Sequence, residues 1–258
     1  MKTWLVLYKK ELFSFWRSSK WLWLPIVFTF LSVSQPISLY YMPEILKSSG
    51  NLPEGAVFEI PIPLGTEVMA GVLSQYGTVG LVIIVAAVMG SISSERQRGT
   101  MSLLMSRPVS SFQFVTSKWA AEVSLLFITL VFSYGFSAYY TNLLFSDVSI
   151  ELFWKSFFIY FIWVCFIVTI TVIGSILFKS NGIVMGVSIS IIALLSLLDN
   201  FFEKYMKWSP SLLSTQASSV LVNGKVSDYF FLNIFSSLTI IIVLLAGGIF
   251  MFKKQEKY

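Results

Sequence analysis

The chain has 258 residues, 56% hydrophobic and only 12% charged, with a mean hydropathy of +0.78, against roughly 25% charged residues in a soluble domain. That composition makes it an integral membrane protein. No histidine is present and Cys165 is the single cysteine, which excludes imidazole ligands, His-based acid–base chemistry, an intrachain disulfide and a Cys-X-X-Cys site. The net charge of +5 does not indicate nucleic acid, because the basic residues are spread over membrane boundaries instead of being gathered on one polar face.

From the amino terminus, residues 1–20 predict an amphipathic helix. Trp4, Leu5, Tyr8, Leu12, Phe15 and Trp16 fall on an arc of about 120°, with Lys2, Lys9, Lys10 and Arg17 on the rest of the wheel. Such a helix lies in the headgroup plane, with Trp4, Tyr8 and Trp16 as its membrane-surface anchors. Glu11 and basic residues continuing to Lys20, with no small-residue cleavage site, argue against a signal peptide. The first span is expected at about 21–41, with Pro25 and Pro36 near its two ends. Residues 43–67, with Pro43, Pro53, Pro61 and Pro63, read as an exposed loop. Glu44, Glu54, Glu59 and Glu67 there lack the spacing of a Ca²⁺ loop and read as solvated.

The second span, about 68–92, carries Gly71, Gly77, Gly80, Ala86, Ala87 and Gly90, a thin face for packing inside the bundle or against a second subunit. The third, about 119–140, has Glu122 one turn in, paired at i,i+4 with Lys118. The fourth runs from about 150 to 178 and opens with Glu151 and Lys155 at the same spacing; a short fifth follows at about 183–198. Residues 199–228, polar and aromatic, predict short interfacial or re-entrant helices before the sixth span at about 229–252. With both termini cytoplasmic, thirteen of the eighteen basic residues lie inside, as the positive-inside rule requires.

The longest polar stretch on the basic side is 93–118, which places Glu95, Arg96, Arg98 and Arg107 within thirteen residues. Gly99 and Thr100 predict a turn into a short helix carrying Met101, Leu104 and Met105 on one side. Pro108 ends it, and Ser110 with Gln113 predicts a capping box that starts the next helix.

The run Glu95-Arg96-Gln97-Arg98-Gly99-Thr100, then Leu103-Leu104, Arg107-Pro108-Val109-Ser110 and Lys118, resembles the cytoplasmic signature of type 2 ABC transporter permeases. The resemblance implies one transmembrane domain over 1–258: an amino-terminal elbow helix, six spans, a cytoplasmic coupling helix, and an outer helical hairpin dipping into the membrane between spans 5 and 6. It further implies two ATPase subunits that bind ATP and Mg²⁺ themselves and dock on Glu95, Arg96, Arg98, Gly99, Thr100, Met101 and Leu104. Six helices with one small-residue face leave half a transport path unenclosed, so a second permease subunit, identical or related, is expected as well.

No Gly-x-x-x-x-Gly-Lys-Ser/Thr phosphate loop occurs, and there is no row of intramembrane carboxylates of the sort a proton-coupled carrier uses. Three classes of function follow. The first is a non-catalytic subunit of an ATP-driven exporter in the bacterial cytoplasmic membrane. The second is a channel or scaffold without ATP coupling. The third, a membrane-embedded enzyme, lacks paired carboxylates, a metal set or a serine beside a base. Spans rich in Phe, Ile, Leu, Ser and Thr with little fixed charge suit an amphiphilic, peptide or lipid-like substrate better than a small ion.

Overall fold

A computed structural model describes residues 2–48, 63–99, 109–202 and 205–255. Among these residues the chain is all-helical, without a strand. Helix α1 (Lys2–Arg17) is joined to α2 (Lys20–Ser48) through Ser19, whose φ of +57° turns the backbone sharply. The second membrane-length helix, Gly65–Gln97, is compound: α3 (Gly65–Gln75), a π-helical turn (Tyr76–Gly80), α4 (Leu81–Val88) and α5 (Ser93–Gln97). Then come α6 (Ser111–Leu144), α7 (Ile150–Leu177), α8 (Asn181–Phe201), the short α9 (Leu212–Asn223) and α10 (Phe230–Gln255). Six helices are long and apolar enough to cross a membrane, so this is a multi-pass membrane protein.

The six expected spans all occur, but their ends differ for physical reasons. Pro25 and Pro36 lie inside α2 together with Pro43, and the helix continues to Ser48, past the expected start of the loop. Helix α6 begins where Ser110 and Gln113 predict a helix start, the Ser110 hydroxyl accepting the Gln113 N–H (3.2 Å), so it already runs for eight residues before the span expected from 119. Its first turns carry Gln113, Thr116 and Lys118, polar residues that hydropathy assigns to a loop. The expected short fifth span is the 21-residue α8, about 30 Å at 1.5 Å per residue. It passes beyond 198 because Asp199 is met by the hydroxyls of Ser209 (3.0 Å) and Ser211. The expected short helix at 100–106, with Thr100, Met101 and Leu104, lies outside the described residues, as do residues 49–62 of the expected loop.

Helix α7 is the axis of the bundle, touching α4, α6, α8, α9 and α10 and buried along most of its length. Helices α2, α8 and α10 form the periphery and present Phe30, Ile191, Leu194, Phe231, Phe235 and Phe250 outward. In such a bundle hydroxyl and indole groups bond between helices or back to their own turn. Trp119 Nε1 donates to Thr169 Oγ1 (2.9 Å), Tyr76 OH to Ser133 Oγ (2.7 Å), and Tyr134 OH and Ser156 Oγ share a bond of 2.8 Å. The thin face of the second span is used within the chain. A methyl added at Gly71 would lie 2.7 Å from the Gln35 amide, and one at Gly80 would lie 3.3 Å from the Phe28 ring, whereas Gly77 faces open space.

Helix α9 packs on α3 and α7 at the end of the bundle remote from α1, and closes with Gly224 in the left-handed conformation (φ +66°). Buried amides hold this end together. Gln216 donates to Asn233 Oδ1 and to Ser227 Oγ (3.1 Å), and Asn233 in turn donates to the Lys207 carbonyl.

Candidate functional site

Lys10, Glu11, Lys20, Glu95, Lys118 and Glu122 converge at the opposite end of the bundle. Helix α1 lies against α6 on its Trp4–Tyr8–Leu12–Phe15 side. Trp4 Nε1 donates to Thr116 Oγ1 (3.0 Å), Tyr8 OH donates to Ser124 Oγ (2.8 Å), and the two rings stack with centroids 5.3 Å apart. Phe15 packs with Ala121 and Leu125 beside Tyr8, Leu12 and Trp21. Of the three aromatic residues expected at the membrane surface, Trp4 and Tyr8 therefore grip protein, while Trp16 is 64% exposed, with Val6 and Phe13 also outward.

The same contact buries charge. Lys118, only 2% exposed, sits between Glu11 Oε1 (3.0 Å) and Glu95 Oε1 (3.1 Å), and Lys10 reaches the same two oxygens at 3.3 and 2.8 Å. Two ammonium groups and two carboxylates thus alternate, an arrangement that repays part of the desolvation cost of burying them. Burial, the largest influence on Lys10, lowers its pKa, but the Glu95 hydrogen bond and the nearby Glu11 and Glu95 charges outweigh it and raise the pKa above 10.5.

The expected Lys118–Glu122 pair does not form. Lys118 is drawn to the carboxylates of α1 and α5, and Glu122 takes Lys20 Nζ instead (3.1 Å), which also donates to the Ala87 carbonyl (2.6 Å). An i,i+4 spacing places both side chains on one face of α6, but tertiary partners across that face decide the pairing. Glu151 and Lys155, exposed on α7 with no competing element, do pair at i,i+4.

Helix α5 gathers the remaining ends. Arg96 donates to the Ile176 carbonyl at the end of α7 (2.7 Å) and to Gln255 Oε1 at the end of α10 (3.0 Å). Such C-terminal carbonyls favour a cation. Gln97 bonds the Lys179 carbonyl (2.5 Å) and Asn181 Oδ1 (3.3 Å), and Ser93 donates to the same Asn181 oxygen (2.6 Å), where α8 begins. Five residues therefore touch α1, α6, α7, α8 and α10. Arg98 is exposed, and Gly99 adopts φ +68°, the turn expected of it.

Between α1, α2, α4, α5 and α6 lies a polar cavity of about 760 Å³. It is lined by Lys10, Arg17, Lys20, Arg98 and Lys118 and by Glu11, Glu95 and Glu122. Sequence reading found Glu95, Arg96 and Arg98 as charges but placed them outward. It missed the use of Glu11 and Lys20, although a lone carboxylate close to the aromatic face of an amphipathic helix was the available signal.

Residues 20–258, which hold all six spans, match the family model described as "Protein of unknown function (DUF2705)". The chain belongs to this family. It is also 36% identical over 258 residues, the full length of both chains, to the "Uncharacterized transmembrane protein YxlG" of Bacillus subtilis (strain 168). This corrects the assignment to type 2 ABC transporter permeases suggested by residues 93–118, since the match that covers the spans is to DUF2705. The short charged pattern behind that resemblance is also what this bundle end requires for its internal pairing.

Proposed function

We propose that this chain is the membrane subunit of an ATP-driven transporter, powered by a separate ATPase that docks beside α5. The observation that supports this reading is the reach of α5. Its five residues are fastened to α1 and to four of the membrane-length helices, so a push delivered there is shared by most of the bundle. In this proposal Glu95 and Arg96 transmit the push inward. Arg98, Gly99, Thr100, Met101 and Leu104 meet the ATPase, which alone binds ATP and Mg²⁺. Both termini and α5 face the cytoplasm, following the distribution of basic residues. Helix α9 is a re-entrant segment at the outer face, and two copies, or one copy and a related subunit, act with two ATPases. The cargo is an amphiphilic, peptide or lipid-like molecule moved outward across the cell membrane.

Crosslinking tests the reading. In a Cys165→Ser background, single cysteines at Arg98, Ser102 and Leu104 should each crosslink to an ATPase in native membranes. No ATPase crosslink from any of them, with the protein intact and inserted, would leave the channel or scaffold reading in its place.

A further inference from the structure

The polar cavity at the basic end has a charge pattern that its internal pairing does not exhaust. Of its five cations, Lys10, Lys20 and Lys118 are committed to Glu11, Glu95 and Glu122. Arg17 and Arg98, both exposed, form no ion pair among the described residues. Arg17 lies over the Phe13 ring, 5.5 Å from its centroid, which steadies the guanidinium without neutralising it. Two forked, weakly hydrated donors at one cavity suit a phosphate better than any single carboxylate of the chain.

A second observation points to the other end of the ligand. Glu122 is 1% exposed and lines the cavity, and its Oε2 has no hydrogen-bond partner among the described residues, although Oε1 is held by Lys20. A buried carboxylate oxygen left without a donor is costly, and a ligand N–H group would satisfy it. The exposed Phe13 and Trp16 on the outward side of α1 belong at the depth of lipid headgroups. A volume of about 760 Å³ is within the range of small-ligand sites.

We infer that this cavity binds a zwitterion carrying a phosphate and a primary ammonium, the chemistry of an aminophospholipid headgroup or of the same group free in solution. The phosphate lies between Arg17 and Arg98, and the ammonium donates to Glu122 Oε2. A quaternary ammonium has no N–H to give, and a polyol headgroup has no positive charge, so both are discriminated against.

The test is lipid retention by the delipidated full-length protein, read by native mass spectrometry after exposure to phosphatidylethanolamine, phosphatidylcholine or phosphatidylglycerol of matched chains. Phosphatidylethanolamine should be retained at least about tenfold better than the other two. Arg17→Ala with Arg98→Ala should abolish that retention, and Glu122→Gln should erase the preference over phosphatidylglycerol while leaving some binding. Displacement by millimolar phosphoethanolamine would show that the headgroup alone suffices. Retention that resists it would show that the lipid itself is the ligand. Equal retention of the three lipids, or retention unchanged in the arginine variant, would overturn the proposal. The two arginines are exposed, so their variant remains informative even if Glu122→Gln fails to fold.

Discussion

Replacing Lys118 by Met keeps an unbranched side chain only one atom shorter and removes its charge at the point where α1, α5 and α6 meet. Glu11 and Glu95 each lose a bond of 3.0–3.1 Å, and Lys10, which contacts both, is partly solvated and cannot neutralise both. Removing one partner of a buried ion pair costs about 3–5 kcal/mol; because Lys10 remains, we expect the low end, about 3 kcal/mol. The loss should fall on the docking of α1 more than on the spans, since Trp4, Tyr8, Leu12 and Phe15 then hold α1 to α6 without the buried charge pair. Equilibrium unfolding in mixed micelles should show a destabilised Lys118→Met protein, with protease cleavage near the Ser18–Ser19 turn much faster than in the parent. Adding Glu11→Gln should recover part of the loss, because the buried carboxylate of α1 is then neutral. A single variant within about 0.5 kcal/mol of the parent would refute the account, since that is the range of ordinary surface changes.

Glycines give sharper steric tests. A Cβ at Gly65 would lie 2.1 Å from the Ser146 carbonyl oxygen, so Gly65→Ala should displace the α6–α7 connection and lower thermal stability markedly, whereas Gly77→Ala, facing open space, should leave the melting temperature unchanged. At Gly99, with φ +68°, alanine should cost about 1–2 kcal/mol through backbone strain alone, and asparagine less. The raised pKa of Lys10 means that its contribution is fully present below pH 10.5 and is lost as pH climbs through the higher folded value. Protease release of α1 should accordingly rise at strongly alkaline pH and be flat between pH 7 and 9; a step in that neutral window would count against the pairing.

The number and order of membrane helices were legible because a lipid-facing surface imposes its composition on the sequence. The peripheral α2, α8 and α10 are the plainest cases, with large apolar side chains outward along their length. Boundaries were less legible where polar residues are paid for by distant partners. The Ser110–Gln113 pair marks the start of α6, but hydropathy places the span only from 119, because Thr116 and Lys118 are satisfied by Trp4, Glu11 and Glu95, more than twenty residues away in sequence. Asp199 ends the expected fifth span for the same reason, its partners Ser209 and Ser211 belonging to the next connection. Local spacing also misassigned Lys118 and Glu122, since four carboxylate and ammonium groups from α1, α2 and α5 compete across one helix face. The charges at Glu95 and Arg96 were recognised as significant, but hydropathy and motif carry no information on whether such groups face a partner or the chain's own helix ends.

The reading that α5 passes force from an ATPase to the spans is tested most directly by the composition of the particle isolated from native membranes. Intact-complex mass spectrometry in mild detergent should find this chain with an ATPase subunit, two membrane subunits to two ATPases, and Arg98→Glu should release the ATPase while the Lys118 network and the fold persist. Particles that contain this chain but never an ATPase, from membranes in which the protein is fully inserted and stable, would contradict it.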